Sequence, residues 1–228
     1  MILGKSQQEK NNYDTIVFCN RNIRTATIPN FIEIIDSYAF MKCKKLYEVN
    51  FQDDSKLRII GNYAFYESFL MNIKFPPHLT KIGEFAFADC NLLKKVEFSE
   101  NSELQIIDKF AFHLSFIERI EFPSSLKEIR EESFSLCNKL FEIKIPINSK
   151  LQKIGVKAFA RTKIKDITIG SQLKIIDDSA FENCMNLHSF NIPLNSELQT
   201  IGSKAFSHTL IESLTIPSSC VELKEGWC

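Results

Sequence analysis

The dipeptide Ala-Phe, once replaced by Ser-Phe, returns eight times along the chain, and the distances between its returns alternate. Phe40, Phe65, Phe87, Phe112, Phe134, Phe159, Phe181 and Phe206 are separated by 25, 22, 25, 22, 25, 22 and 25 residues. A long and a short unit therefore alternate, and 47 residues is their sum. Cys137–Phe159 and Cys184–Phe206, offset by that distance, share 13 of 23 residues without a gap. A unit this small cannot bury an apolar side alone, so successive units must stack and cover one another. The aromatic composition fits one slot filled repeatedly: 20 Phe stand against one Trp and five Tyr. Counting back 22 residues from Phe40 reaches Phe18, which the spacing makes the first plug, and counting forward 22 from Phe206 reaches Cys228.

Five or six residues after each plug comes a segment of the form L-x-x-I-x-I. The series is IRTATI at 23–28, LYEVNF at 46–51, LMNIKF at 70–75, LKKVEF at 93–98, IERIEF at 117–122, LFEIKI at 140–145, IKDITI at 164–169, LHSFNI at 187–192 and IESLTI at 211–216. Its last four positions alternate polar and apolar, the pattern of a half-buried strand. Proline often follows, as at Pro29, Pro76, Pro123, Pro146, Pro193 and Pro217, and ends the strand because it has no N–H for a ladder. A second short apolar stretch comes next, such as LRIIG at 57–61 or LQIID at 104–108. It closes on Gly61, Gly83, Gly155 and Gly202 or on Asp36, Asp108 and Asp177, which points to a tight or left-handed turn there. Arg130 breaks that pattern. The long units carry their extra residues around Ser55, Ser102, Ser149 and Ser196, where a surface loop absorbs them at little cost.

Each unit thus reads as strand, turn, second short strand, turn and Phe plug. The predicted architecture is mainly β: a right-handed parallel solenoid of about nine coils. With strands about 4.8 Å apart, its sheets are on the order of 40 Å long.

Cys43, Cys90, Cys137 and Cys184 stand three residues after alternate plugs, and Ser68, Ser115, Thr162 and Thr209 fill the same slot between them. A slot shared by Cys, Ser and Thr asks for a small hydrogen-bond donor facing turn backbone. Two coils separate neighbouring cysteines by roughly 9–10 Å, beyond the ~7 Å that a disulfide tolerates between Cα atoms. Free, buried thiols are expected. No CxxC, HExxH, GxSxG or nucleotide-binding glycine loop occurs. A Cys–His nucleophile pair is conceivable for a buried slot, such as Cys184 with His188, but the repeat register favours a core thiol beside a surface imidazole. No enzyme activity, cofactor or metal is expected. Lys plus Arg and Asp plus Glu number 28 each, which argues against a nucleic-acid partner. The N-terminal MILGKSQQEKNNYD lacks the apolar run of a signal peptide, and no stretch is apolar enough to insert in a membrane.

The combined pattern C-x-x-L-x-x-I-x-I-P…L-x-x-I-G-x-x-A-F resembles the BspA-type, or treponemal-type, leucine-rich repeat from about Thr15 onward. Its strict long–short alternation is similar to copies in the BspA-like surface antigens of trichomonad protists. The resemblance implies a curved leucine-rich-repeat solenoid whose L-x-x-I-x-I strands line the concave face. It also implies an adhesin-like or surface-antigen role, on a cell surface or in secreted form, toward host extracellular-matrix or cell-surface protein. The alternative is a cytoplasmic protein-interaction scaffold on the same coil. The repeated residues are scaffold, so binding falls to what varies on the outward strand positions and the rim: Tyr47, Met71, Lys74, Lys95, Glu97, Arg119, Glu121, Phe141, Glu142 and Lys144. The organisation expected is a segment 1–17, polar enough to cover the first coil, then a solenoid over 18–228. At its far end Trp227 falls in the Ala slot and Cys228 in the Phe slot, with no polar cap beyond. The array is therefore expected to be truncated there and to self-associate end to end.

Overall fold

The computed structural model describes residues 1–5 and 14–228. Most of the polar KSQQEKNNYD segment proposed as a cover lies outside those residues. The described chain is all strand and turn, without helix, wound into a parallel β-solenoid of about nine turns. The L-x-x-I-x-I segments stack in register. Thr25–Ile28, Glu48–Phe51, Asn72–Phe75, Lys95–Phe98, Arg119–Glu121 and Glu142–Lys144 form one parallel sheet, continued by the pair Asp166–Thr168 and Ser189–Asn191. Their alternation holds: in Asn72–Phe75, for example, Ile73 and Phe75 are buried while Asn72 and Lys74 are exposed. IESLTI at 211–216 keeps a weaker alternation of burial but forms no strand. The expectation of a ninth strand on this side is therefore corrected.

The second apolar stretches, two residues each from Ile34–Ile35 to Glu222–Leu223, build the other wall of the coil. Thr15–Phe18 joins their ladder, and Ile2–Gly4 pairs antiparallel with it at the outer edge. Between the walls run the plugs. All eight phenylalanines from Phe40 to Phe206 are at most 2% exposed. Their successive ring centroids lie 4.8–5.5 Å apart with planes within 12° of parallel. The rings thus form one continuous stack along the solenoid axis.

Phe18 does not belong to that stack. It is 41% exposed, and the Arg21 guanidinium lies 4.8 Å from its ring centroid. The buried Cys19 takes the slot instead, donating its N–H to Ala39 O (2.9 Å) as Phe40 donates to Ala64 O (2.7 Å). The first coil is one residue shorter than the spacing rule assumes. At the other end Phe206 N–H donates to Trp227 O, which confirms Trp227 in the Ala slot. Its indole stands edge-on to Phe206 at 6.3 Å.

The left-handed turns are also placed differently from expectation. Glycine and aspartate at the end of the short strand have ordinary φ. The residues two before and two after every plug have positive φ, among them Tyr38 (64°), Lys42 (56°), Phe110 (56°) and Leu114 (58°). An extended strand sends neighbouring side chains to opposite sides, whereas Ala111 and Phe112 are both fully buried. The flanking left-handed residues break the alternation and let both enter the core. Gly61 serves close approach instead. A Cβ there would lie 2.6 Å from Ser37 N and 2.8 Å from Asp36 C in the preceding coil. Where aspartate stands, its Oδ1 accepts from the next N–H, as Asp108 does from Lys109 at 2.9 Å. The loop serines are anchors: Ser149 is buried and its Oγ accepts from Leu151 N–H at 3.2 Å.

Candidate functional site

The pleat fixes which side chains line the concave sheet. Val96, Ile120 and Ile143 point into the core, so Lys95, Glu97, Arg119, Glu121, Glu142 and Lys144 on either side of them must point out. Parallel pairing sets Arg119 opposite both Lys95 and Glu142. The charges close on one another across this face. Lys95 Nζ is 2.9 Å from Glu97 Oε1, Arg119 Nη1 is 3.4 Å from Glu142 Oε2, and Lys144 Nζ is 3.6 Å from Glu142 Oε1. The Arg119 guanidinium also lies 4.9 Å from the Phe141 ring centroid. Exposed pairs of this kind contribute at most about 1 kcal/mol each, so they orient side chains without holding the fold together. Lys74 and Glu121 have no ion-pair partner among the described residues. Tyr47 and Met71 are nearly half exposed on the rim.

All ten sequence-predicted residues line three adjoining concavities. One of about 710 Å³ is bordered by Tyr47, Met71, Lys74 and Glu97. One of about 410 Å³ lies over Lys95, Arg119, Glu121 and Glu142. One of about 630 Å³ is edged by Glu121, Phe141, Glu142 and Lys144. The sequence reading missed Phe69 and Leu92, both exposed on the same rim. They precede the leading Leu of their segments and so fall outside the L-x-x-I-x-I window. It also missed a second ring stack formed by Tyr38, Tyr63, Phe85 and Phe110, with centroids 4.6–5.2 Å apart. Tabulating the position two before each plug would have found it.

The thiol slots are part of the core. Cys90 Sγ donates to Phe65 O at 3.2 Å and lies 3.5 Å from Ser68 Oγ. Cys137 repeats this with Phe112 O and Ser115, and Cys184 with Phe159 O and Thr162. All seven cysteines are free. Burial pushes the thiols of Cys90 and Cys137 up to about 12 and that of Cys184 to about 11, far from a reactive thiolate. His188 turns instead to Asp166, Nδ1 to Oδ1 at 3.2 Å, so the Cys184–His188 pair is not formed. No helix among the described residues is long and apolar enough to cross a membrane.

Solved structures share this coil. The pneumococcal vaccine antigen PcpA superimposes over 96% of the chain with a TM-score of 0.56 and 21% identity, and the chain spans 60% of that protein's crystallised length. The T. pallidum leucine-rich repeat protein TpLRR gives a TM-score of 0.59 at 20% identity, covering 91% of this chain and 85% of its own. At these identities the likeness is one of fold. No curated protein sequence matches the chain. The sequence model of the BspA type leucine-rich repeat region, in six copies, matches residues 12–140 and 105–227, nearly the whole length over which the plugs recur. The chain belongs to the BspA-type leucine-rich-repeat family.

Proposed function

We propose that this solenoid is a non-catalytic protein-binding domain with an adhesin-like or surface-antigen role. Its partner, a host matrix or cell-surface protein, would lie in the concave face against Tyr47, Met71, Lys74, Lys95, Glu97, Arg119, Glu121, Phe141, Glu142 and Lys144. The observation that carries this reading is an uncovered sheet. Parallel sheets are ordinarily buried on both faces, yet among the described residues nothing packs on the outer side of this one. Its outward residues differ from coil to coil while the inward ones repeat. A fold that needs only the inward set leaves the other free for recognition. Buried thiols pushed well above the ordinary range support a non-catalytic reading. The family, and a fold shared with a vaccine antigen, support a surface location like that of the trichomonad surface antigens.

The test is affinity capture on the immobilised chain, from host extracellular matrix and, separately, from the organism's own lysate. A specific matrix protein should be retained and should be lost with Lys95→Glu, Arg119→Glu and Glu142→Lys combined, at unchanged melting temperature. Retention by that variant moves the site off this face. A partner found only in the organism's lysate makes the domain an intracellular scaffold.

A further inference from the structure

The two halves of the concave face differ chemically. In the second, third and fourth coils four large apolar side chains stand on the rim: Tyr47 is 46% exposed, Phe69 38%, Met71 45% and Leu92 41%, with Lys44 Nζ 6.0 Å from the Phe69 ring centroid. Tyr47 and Met71 are neighbours in one column, since Met71 N–H donates to Tyr47 O, and Phe69 and Leu92 hold equivalent positions, each just before the leading Leu, in successive coils. They cannot turn inward, because Leu46, Leu70 and Leu93 already occupy the core positions between them. In the fifth to seventh coils the same columns hold Glu118, Lys139, Lys163 and Lys165, and of the two phenylalanines there Phe116 is partly buried and Phe141 is covered by Arg119. Isolated exposed apolar residues are ordinary. Four on one rim beside a concavity of about 710 Å³ make a patch that marks an interaction surface.

Charge decides what suits that patch. The concavity beneath the rim is lined by Glu48, Asp53, Asp54 and Glu97 with Lys74 as its sole cation. Glu97 is already paired with Lys95, while Glu48, Asp53 and Asp54 have no ion-pair partner among the described residues. Arg24 and Lys94 occupy the rim column on either side of Tyr47 and Met71, so a cation is disfavoured along the apolar rim and favoured across the groove from it. An extended segment sends alternate side chains to opposite edges, which suits a surface apolar on one edge and acidic on the other. We infer that the first half of the groove docks an extended segment of a partner protein, with bulky apolar side chains along the rim and arginine or lysine facing Glu48, Asp53 and Asp54. This rests on the concave face being the binding face.

Three fluorescent nine-residue peptides, alternating leucine–arginine, leucine–glutamate and serine–arginine, are titrated with the full chain by anisotropy. The leucine–arginine peptide should bind at least tenfold more tightly than the other two. Its affinity should fall at least tenfold with Tyr47→Ser plus Met71→Ser, and again with Glu48→Gln, Asp53→Asn and Asp54→Asn combined. Lys127→Gln, in the segment leading into the other wall of the coil, should leave it unchanged. Equal binding of the leucine–glutamate or serine–arginine peptide overturns the inference, as does failure of all three to bind or indifference to both variants. A captured protein that depends on Lys95, Arg119 and Glu142 but not on Tyr47 and Met71 overturns this inference alone and leaves the concave face standing.

Discussion

Replacing a central plug should remove more stability than replacing any aromatic on the groove. Phe112 is fully buried, and its ring is stacked on Phe87 at 5.2 Å and on Phe134 at 5.1 Å. Phe112→Ala leaves a ring-sized cavity between two coils that cannot close without shifting both parallel ladders. Such truncations cost about 3–5 kcal/mol, and the two lost ring contacts account for about 1–3 kcal/mol of that. Phe141 is half-buried on the rim, with Arg119 as its ring partner, so Phe141→Ala should cost about 1 kcal/mol or less. Phe18→Ala, at an exposed ring outside the stack, should behave like Phe141→Ala. Urea unfolding followed by circular dichroism measures all three, with the slope checked because solenoids unfold in parts. A loss at Phe112 equal to that at Phe141, or a loss at Phe18 as large as that at Phe112, would refute the assignment of the core.

Cys90 and Cys137 should resist thiol reagents in the native protein and react at once in denaturant. At pH 8 their thiolate fraction is on the order of a thousandfold below that of a free thiol, whereas Cys228 is exposed and should label immediately. Gly61→Ala sets a Cβ against backbone 2.6 Å away, while at Gly170 the nearest atom is the Ser149 Cβ at 3.3 Å. The first should lower stability by about 1–3 kcal/mol and the second by less, read from thermal melts. Burial alone would raise the Asp108 carboxyl, but Lys81, the Lys109 N–H and Arg130 hold it below its ordinary range. A depressed folded value means stability that is present above the unfolded pKa, near about 3.9, and lost as pH falls through the folded one. Asp108→Asn should therefore destabilise at pH 7 and be nearly neutral once wild-type Asp108 is itself protonated. An equal penalty at both pH values would contradict this.

The repeat made most of the fold legible. A spacing of 22 and 25 residues around a recurring small residue and Phe leaves stacked coils as the only economical burial, and the strand alternation then orients every outward residue. That is why all ten candidate residues fall on one face. Phe18 was misplaced because a fixed count carries no information about a coil one residue shorter; the exposure of Phe18, the burial of Cys19 and the Cys19-to-Ala39 hydrogen bond reveal the slip. The left-handed turns were illegible for a different reason. Most fall on residues such as Tyr, Lys, Glu, Phe and Leu, which do not favour that backbone, and only a few on Asp89, Asn183 or His208, which do; coil-to-coil hydrogen bonds such as Phe110 N–H to Glu131 O offset the strain. Pairing across the groove, as between Arg119 and Glu142, depends on rotamers that strand periodicity leaves open. The apolar rim at Phe69 and Leu92 precedes the strand motif and so escaped a search anchored on it.

Hydrogen exchange on the chain with and without its captured partner tests the central claim most directly. The strands Lys95–Phe98, Arg119–Glu121 and Glu142–Lys144 and the rim segments leading into them should gain protection on binding, while Glu128–Ile129 and Lys153–Ile154 on the opposite wall should not change. Protection appearing on the opposite wall, or at the turns around the plugs and not on the concave strands, would contradict the account.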